Sequence, residues 1–425
     1  MSRRFGAPLI LDLRPGGSGV SASVTPGAAS VPVSFTSPTL KQAVGADNFP
    51  LCRGIMVKAV TTFDQAASGG SVVYWDELFR AIASYSVNIP KLGLTHDPNV
   101  FTGPVAKHIC EFFSLGYQYC DYSRVFISAS DGDTTITLYT FLPFTNETVE
   151  DPEAFWVWVG WLRDMELIVT VAAESALAAV STGAKIKTPT TLTAWLECYV
   201  SPQPSLPAIS QWNRYLTPAS ASSNLALLQK VGMSGNGINE VEKRSRLMAL
   251  LEVMSPLGLG GATTGDNITS FGCPELNQDI TTNIDGFFAS FRSAIGSRGN
   301  PNAISSSAPA ADMAGGMYSN IGNLTSSAFQ NNGLKFVPWR FTPLNGRIEY
   351  APKVYGDLTL TRGMTSPPSS GNHLIITNEI RQLTADKKNE LQAETGFPSA
   401  ARQTFSSRPL REEQRFGHGE LIRTR

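Results

Sequence analysis

The 425 residues include 42% hydrophobic and only 16% charged side chains, which is too much chain for one ordinary domain and too little charge for disorder by self-repulsion. The 34 basic and 35 acidic groups leave a formal net charge of -1, and this excludes a protein that coats nucleic acid along its whole surface. A charged fraction well below the roughly 25% usual for soluble domains implies that neighbours cover much of the surface, as in a component of an assembly.

The N-terminus carries Arg3 and Arg4 but no long apolar segment before Pro15, Gly16 and Gly17, so it does not read as a secretory signal. Residues 14–34 are rich in Gly, Ser, Ala, Val and Pro, the composition of an extended arm. Residues 51–63 then alternate through Ile55, Val57 and Ala59, as a half-buried strand requires. Residues 75–83 are expected as one short amphipathic helix, and residues 85–89 as a strand that stops at Pro90. In residues 134–141 Ile136, Leu138 and Thr140 share one face while Thr137, Tyr139 and Phe141 share the other. Both faces of this strand are expected to be covered. Residues 155–162 are the most apolar run, but Arg163 and Asp164 halt it, and it is too short to span a bilayer; the chain reads as soluble. Further β-rich runs occupy residues 165–171 and 191–200.

Residues 201–223, with Pro202, Pro204, Pro207 and Pro218, read as the connection between two domains. A strand is expected at 247–254. A helix is expected at 278–295, where Ile280, Ile284, Phe287, Phe288, Phe291 and Ile295 fit one broad apolar face. Residues 296–327 read as a long surface loop. Strands return at 334–341, 347–350, 357–361 and 373–377, and Thr384 is placed to cap a helix over 385–395 that Gly396 stops. The halves also echo each other. Phe141-Leu142-Pro143-Phe144 precedes the strand at 165–171, and Phe336-Val337-Pro338-Trp339 precedes the one at 357–361. With the composition, this echo favours two related β-sandwiches in one chain.

Chemistry is sparse. The cysteines at 52, 110, 120, 198 and 273 are odd in number and lack a close pair, so free buried thiols are expected. His108 and Cys110, with His96 or Cys120, do not complete zinc-type spacing. Residues 258–265 (GLGGATTG) fit neither a phosphate loop nor a dinucleotide fingerprint. Asn236 stands where a nucleophile elbow around Ser234 needs glycine. Asp131 and Asp133 belong to a turn, and Glu147, Glu150, Asp151 and Glu153 to an acidic loop with either a solvated or a cation-binding reading. Asn146, Asn267 and Asn323 match the glycosylation pattern, which has little force without a secretory signal. Trp156, Trp158, Trp161 and Trp195 form an aromatic concentration: a sugar platform on one reading, core or subunit-interface filling on the other. No catalytic residue, cofactor or metal is nominated, and a non-enzymatic protein is expected.

The segment ITLYTFLPFTNETVEDPEAFWVWVGWLRDMELIVTV (residues 136–171) resembles the first-barrel signature of double jelly-roll major capsid proteins, the family of PRD1-like tailless, membrane-containing icosahedral viruses. CRGIMVKAVTTF (residues 52–63) resembles its early barrel strand. GLKFVPWRFTPLNGRIEYAPKVYGDLTLTRG (residues 333–363), after the expected helix, resembles the layout of its second barrel. The resemblance covers residues 31–383. It implies a mainly β chain: an N-terminal arm at 1–30, a first jelly roll at 31–210, a second at 211–383, then a terminal helix and basic tail at 384–425, with a few short helices. It further implies homotrimeric, six-barrel capsomers tiling the virion of a bacteriophage or similar virus, assembled in the host cytoplasm. The implied partners are neighbouring capsomers, penton or minor capsid proteins and internal membrane lipids, with no sequence-specific nucleic acid. The alternative reading is a carbohydrate- or receptor-binding β-sandwich protein.

Within that frame the termini gain a role. Arg3, Arg4 and Arg14 lie at one end, and Arg402, Arg408, Arg411, Arg415, Arg423 and Arg425 at the other, the latter six against Glu412, Glu413 and Glu420. The expectation is that these arginines clamp neighbouring capsomers or meet anionic lipid heads; the bland reading is a pair of solvated ends.

Overall fold

The computed structural model describes residues 8–16, 19–37, 49–65, 78–103, 105–106, 109, 120–121, 132–144, 155–177, 185–201, 209–218, 227–231, 246–253, 268–273, 278–280, 334–338, 358–364, 372–381 and 385–394. The first half contributes β1 (Leu9–Asp12), β2 (Arg14–Pro15), β3 (Ser21–Val24), β4 (Val31–Thr36), β5 (Phe49–Gln65), β6 (Ile82–Ile89), β7 (Leu94–Thr102), β8 (Cys120–Asp121), β9 (Gly132–Pro143), β10 (Val157–Trp158), β11 (Glu166–Val171) and β12 (Lys185–Ser201). One sheet runs β1-β12-β5-β9-β8, with β3 also on β12 and β10 on β5; the other runs β2-β4-β11-β6-β7. All of these pairings are antiparallel.

Period-two alternation builds the sandwich. In β11, Leu167, Val169 and Val171 are buried while Glu166, Ile168 and Thr170 are half-covered, so a one-residue slip would turn the whole buried set outward. They share a core cluster with Phe35 and Tyr85 of the same sheet and with Ile55, Phe63, Leu192 and Leu196 of the other. The Tyr85 hydroxyl donates to Thr140 Oγ1 at 3.0 Å, a buried hydrogen bond that ties one sheet to the other. Between β6 and β7 the chain turns through a 3₁₀ turn at Pro90–Leu92 and then Gly93, whose φ of 59° is left-handed and suits glycine.

The second half contributes β13 (Ile209–Pro218), β14 (Leu227–Val231), β15 (Arg246–Val253), β16 (Ile268–Cys273), β17 (Gln278–Ile280), β18 (Leu334–Pro338), β19 (Leu358–Met364) and β20 (Asn372–Arg381), followed by helix α1 (Ala385–Glu394). Its sheets run β13-β20-β15-β18 and β14-β19-β16-β17. These are the two sheets of an eight-strand jelly roll, with the strands ordered first-eighth-third-sixth and second-seventh-fourth-fifth. The first half has the same order when β1 and β3, which lie successively along β12, count as one interrupted first strand. Then β4, β5, β6, β7, β9, β11 and β12 are the second to eighth, and β2, β8 and β10 are short additions. The chain is two jelly rolls in series.

Several expectations change. Leu9–Asp12, Arg14–Pro15 and Ser21–Val24, expected within an arm, are strands paired to β12 and β4; edge pairing needs backbone hydrogen bonds more than a rich apolar pattern. The helix expected from residue 75 is, over its described part, a 3₁₀ turn at Phe79–Ala81 that leads straight into β6, because Ile82 and Tyr85 are recruited to the core. Gln278–Ile280, expected to open a helix, is a strand on β16. Residues 209–218 of the expected linker are β13, with Pro218 at the strand end, where a missing N–H is tolerated. Residues 281–295, the loop at 296–327 and the strand at 347–350 lie outside the described residues.

Two bulges shape the long β5–β12 pair, one between Lys187 and Thr191 and one between Glu197 and Cys198. The first accommodates Pro189, and Thr61 Oγ1 and Thr190 Oγ1 lie 2.9 Å apart beside it. At the second sits Gly54, where a Cβ would lie 2.5 Å from the Leu142 carbonyl oxygen and 2.6 Å from the Phe141 ring. Gly54→Ala is therefore expected to destabilise the protein by about 1–3 kcal/mol, read as a lowered urea midpoint with an unchanged slope.

Candidate functional site

Two surfaces of the first barrel carry unusual chemistry, and among the described residues neither holds a catalytic arrangement of side chains. One is the joint to the second half. Trp212, on β13, is 1% exposed. Its indole Nε1–H donates to the Pro143 carbonyl at the end of β9 at 3.0 Å, and its ring meets Phe101 edge to face at 6.2 Å. Phe101 in turn meets His96 at 5.2 Å and 90°. From the other end of the second half, α1 returns to the same region. Leu391 is fully buried in the first barrel's core cluster, and Glu390 bridges Lys91 at 3.3 Å and Lys387 at 2.9 Å. Hydrogen bonds from Lys387 and then Lys91 hold the Glu390 carboxyl below the ordinary glutamate value.

His96 lies within this joint. Neither ring nitrogen has a well-formed hydrogen bond among the described residues. Burial pushes its pKa down to about 4, and a contact with the Trp212 backbone opposes the shift only in part. The folded state therefore binds fewer protons than the unfolded state between the ordinary histidine value near 6.5 and about 4. Stability is held above that window and lost as pH falls through it.

The second surface is the outer face of β12-β5-β9, turned away from the barrel core. The extra residue of the second bulge, Arg53, bridges Glu197 at 3.2 Å with both side chains almost fully buried. Tyr199 donates to the same carboxylate oxygen at 2.7 Å. The Arg53 guanidinium lies 5.0 Å from the Phe141 ring centre, and Trp156 stacks on Tyr199 at 5.2 Å. Met56 and Phe141 form a small separate core there, with Tyr139 and Trp195 packed against it. Lys58 lies over Tyr139 at 5.8 Å. A sheet face opposite the main core would ordinarily be polar and solvated; at the end beside the second bulge this one is aromatic and substantially covered. It can act as a contact surface.

The four tryptophans of the sequence concentration do not form a flat exposed platform. Trp156 and Trp161 are buried, Trp158 and Trp195 half-buried, and Trp158 packs edge-on to Trp161 at 5.5 Å. Of the nine candidate arginines only Arg14 is described. It is exposed on β2, paired with Thr36 on β4, and its carbonyl accepts from Thr36 Oγ1. Arg3, Arg4, Arg402, Arg408, Arg411, Arg415, Arg423 and Arg425 lie outside the described residues, as do His108 and Cys110. Among the described residues no three His, Cys, Asp or Glu side chains are grouped to hold a metal ion, and no helix is long and apolar enough to cross a membrane. Sequence reasoning missed Phe101, Trp212, Arg53 and Glu197. No local pattern marks them, since each acquires its role from a partner far along the chain.

No protein-family model matches the sequence, and no curated protein matches it. Among solved structures the chain is similar to the STIV MCP, at 8% identity and a TM-score of 0.47 over 91% of this chain and 99% of that one. It is also similar to PBCV-1 VP54, fitted into a reconstruction of the virophage Sputnik, at 12% and 0.49 over 89% and 94%. A third is the major capsid protein P2 from bacteriophage PM2, at 10% and 0.41 over 89% and 99%. At such identities and TM-scores these likenesses do not assign a function; the fold rests on the strand order.

Four outcomes are expected. Glu197→Gln leaves Arg53 buried without its charge partner and should cost about 3–5 kcal/mol, read by chemical denaturation. Trp212→Ala should separate the unfolding of the two halves, giving two calorimetric transitions where the parent gives one. Lowering pH from 7 to 4 should remove up to about 3 kcal/mol through His96 alone. His96→Phe should flatten that part of the urea-midpoint profile between pH 6.5 and 4, relative to the parent.

Proposed function

We propose that this chain is the major capsid protein of an icosahedral virion, a structural tile and not a catalyst. The observation that carries the reading is a whole eight-strand jelly roll repeated in the same strand order within one polypeptide. Jelly rolls serve both viral shells and lectins. Two features favour the shell. Trp212 and α1 join the halves through buried contacts, which makes a two-barrel building block. The aromatic outer face and the low charge content suit lateral packing against further copies. Three such chains about a threefold axis would place six similar barrels in a near-hexagonal outline, a closed symmetric unit able to tile a shell.

In this reading the partners are other copies of the chain, neighbouring capsomers and further virion components such as penton or minor capsid proteins, with assembly in the host cytoplasm. The arginine-bearing termini face inward. Arg3, Arg4 and Arg14 at one end and the six arginines after residue 397 at the other clamp neighbours or meet the anionic heads of an internal membrane. Arg14, exposed beside a sheet edge, is compatible with such a contact.

Size-exclusion with light scattering tests the building block. A particle of three times 45.7 kDa is expected, whereas a monomer with measurable glycan affinity would favour a lectin. Deleting residues 397–425 should leave that particle folded and trimeric while shell assembly fails; normal shells from the deletion would remove the clamping role.

A further inference from the structure

The pair Cys52 and Cys198 is used by nothing described so far. The two lie directly opposite each other in the β5–β12 register. Both are 0% exposed and belong to the same core cluster, so both side chains leave the sheet on the same side. Both are free thiols, and Cys52 Sγ donates to the Gly54 carbonyl at 3.4 Å. Opposed residues of an antiparallel pair have Cα atoms about 4.5–5.5 Å apart, inside the range of about 4.4–6.8 Å that a disulfide spans. The other described cysteines have no such partner: Cys120 faces Leu138 and Cys273 faces Gln278.

We propose that Cys52 and Cys198 are a latent cross-strand disulfide, closed when the chain folds in a thiol-oxidising environment and left open when it folds in a reducing one. The oxidant class is a small-molecule disulfide such as glutathione disulfide. One cysteine thiolate attacks it, releasing one glutathione thiolate and leaving a mixed disulfide. The second cysteine thiolate attacks the mixed disulfide at the protein sulfur and releases the other glutathione. The two cysteines together lose two electrons and two protons, and one glutathione disulfide becomes two glutathione thiols.

The timing follows from burial. In the finished barrel no oxidant reaches either sulfur, and desolvation raises the Cys52 thiol well above its ordinary value, which keeps it protonated and unreactive. The bond is therefore set while β12 is still docking. Once set, it is shielded from reductants, so the mature protein keeps the redox state in which it folded. The link would join strands far apart in sequence, the case in which a cross-link restricts the unfolded chain most.

The full-length chain, synthesised once with dithiothreitol and once in a glutathione buffer poised to oxidise, tests this. Each product is denatured in iodoacetamide and digested without reduction. The oxidised preparation should yield a peptide joining Cys52 to Cys198, the reduced one two alkylated cysteines. The oxidised protein should melt several degrees higher, a difference that Cys198→Ala abolishes. Free, alkylated Cys52 and Cys198 in the oxidised preparation, or linkage of either to Cys110, Cys120 or Cys273, would overturn the proposal. The peptide assay needs only the parent protein, so it decides even if the alanine variant does not fold.

Discussion

Each barrel depends on the insertion of its last strand between its first and third. In the first half β12 lies between β1 and β3 on one side and β5 on the other; in the second, β20 lies between β13 and β15. Neither sheet is complete until the chain has travelled out and back, so most of the stabilising contacts join residues far apart in sequence. Such topologies must lose loop entropy before they gain burial. The demand on the β5–β12 pair is the greater, because one bulge on each strand must fall where Pro189 and the Arg53–Glu197 pair require it. Gly54 has no room for a side chain at that same place, so the backbone there is dictated by packing.

Closing the barrels leaves two features that a single sandwich would not need. One is the joint, where an indole, a backbone carbonyl, a phenyl ring and a neutral imidazole form a buried contact that a charged histidine would disrupt. The other is the outer face of the large sheet, where a buried ion pair sits beneath stacked aromatics. A desolvated pair of this kind adds little net stability over an apolar substitute, but losing one partner leaves the other charge buried. The first feature ties barrel to barrel; in the proposed assembly the second would offer a barrel to a neighbouring copy.

Much of this was legible in the residues and some was not. The alternation in 166–171, the long strand around 51–63 and the late strands near 334, 358 and 373 follow from periodicity, and they appear close to where they are expected. The echo around Pro143 and Pro338 has a structural basis: β9 and β18 are the sixth strands of their barrels, and β11 and β19 the seventh. The β3 part of the first strand was hidden because residues 14–34 are dominated by small side chains, and its burial rests on Val24; β1 was hidden by its shortness, at four residues. β13 was hidden among prolines that flank it. The contacts of Trp212 and the facing of Cys52 and Cys198 had no local signature at all, since both are products of register between strands that are distant along the chain.

The proposal that this two-barrel chain builds a threefold, six-lobed tile is tested most directly by electron microscopy of the purified full-length protein. Class averages showing a pseudo-hexagonal particle, with two lobes per chain around a threefold axis, are the result it predicts. Isolated two-lobed particles at concentrations where shells would form, or a ring with any other symmetry, would contradict it.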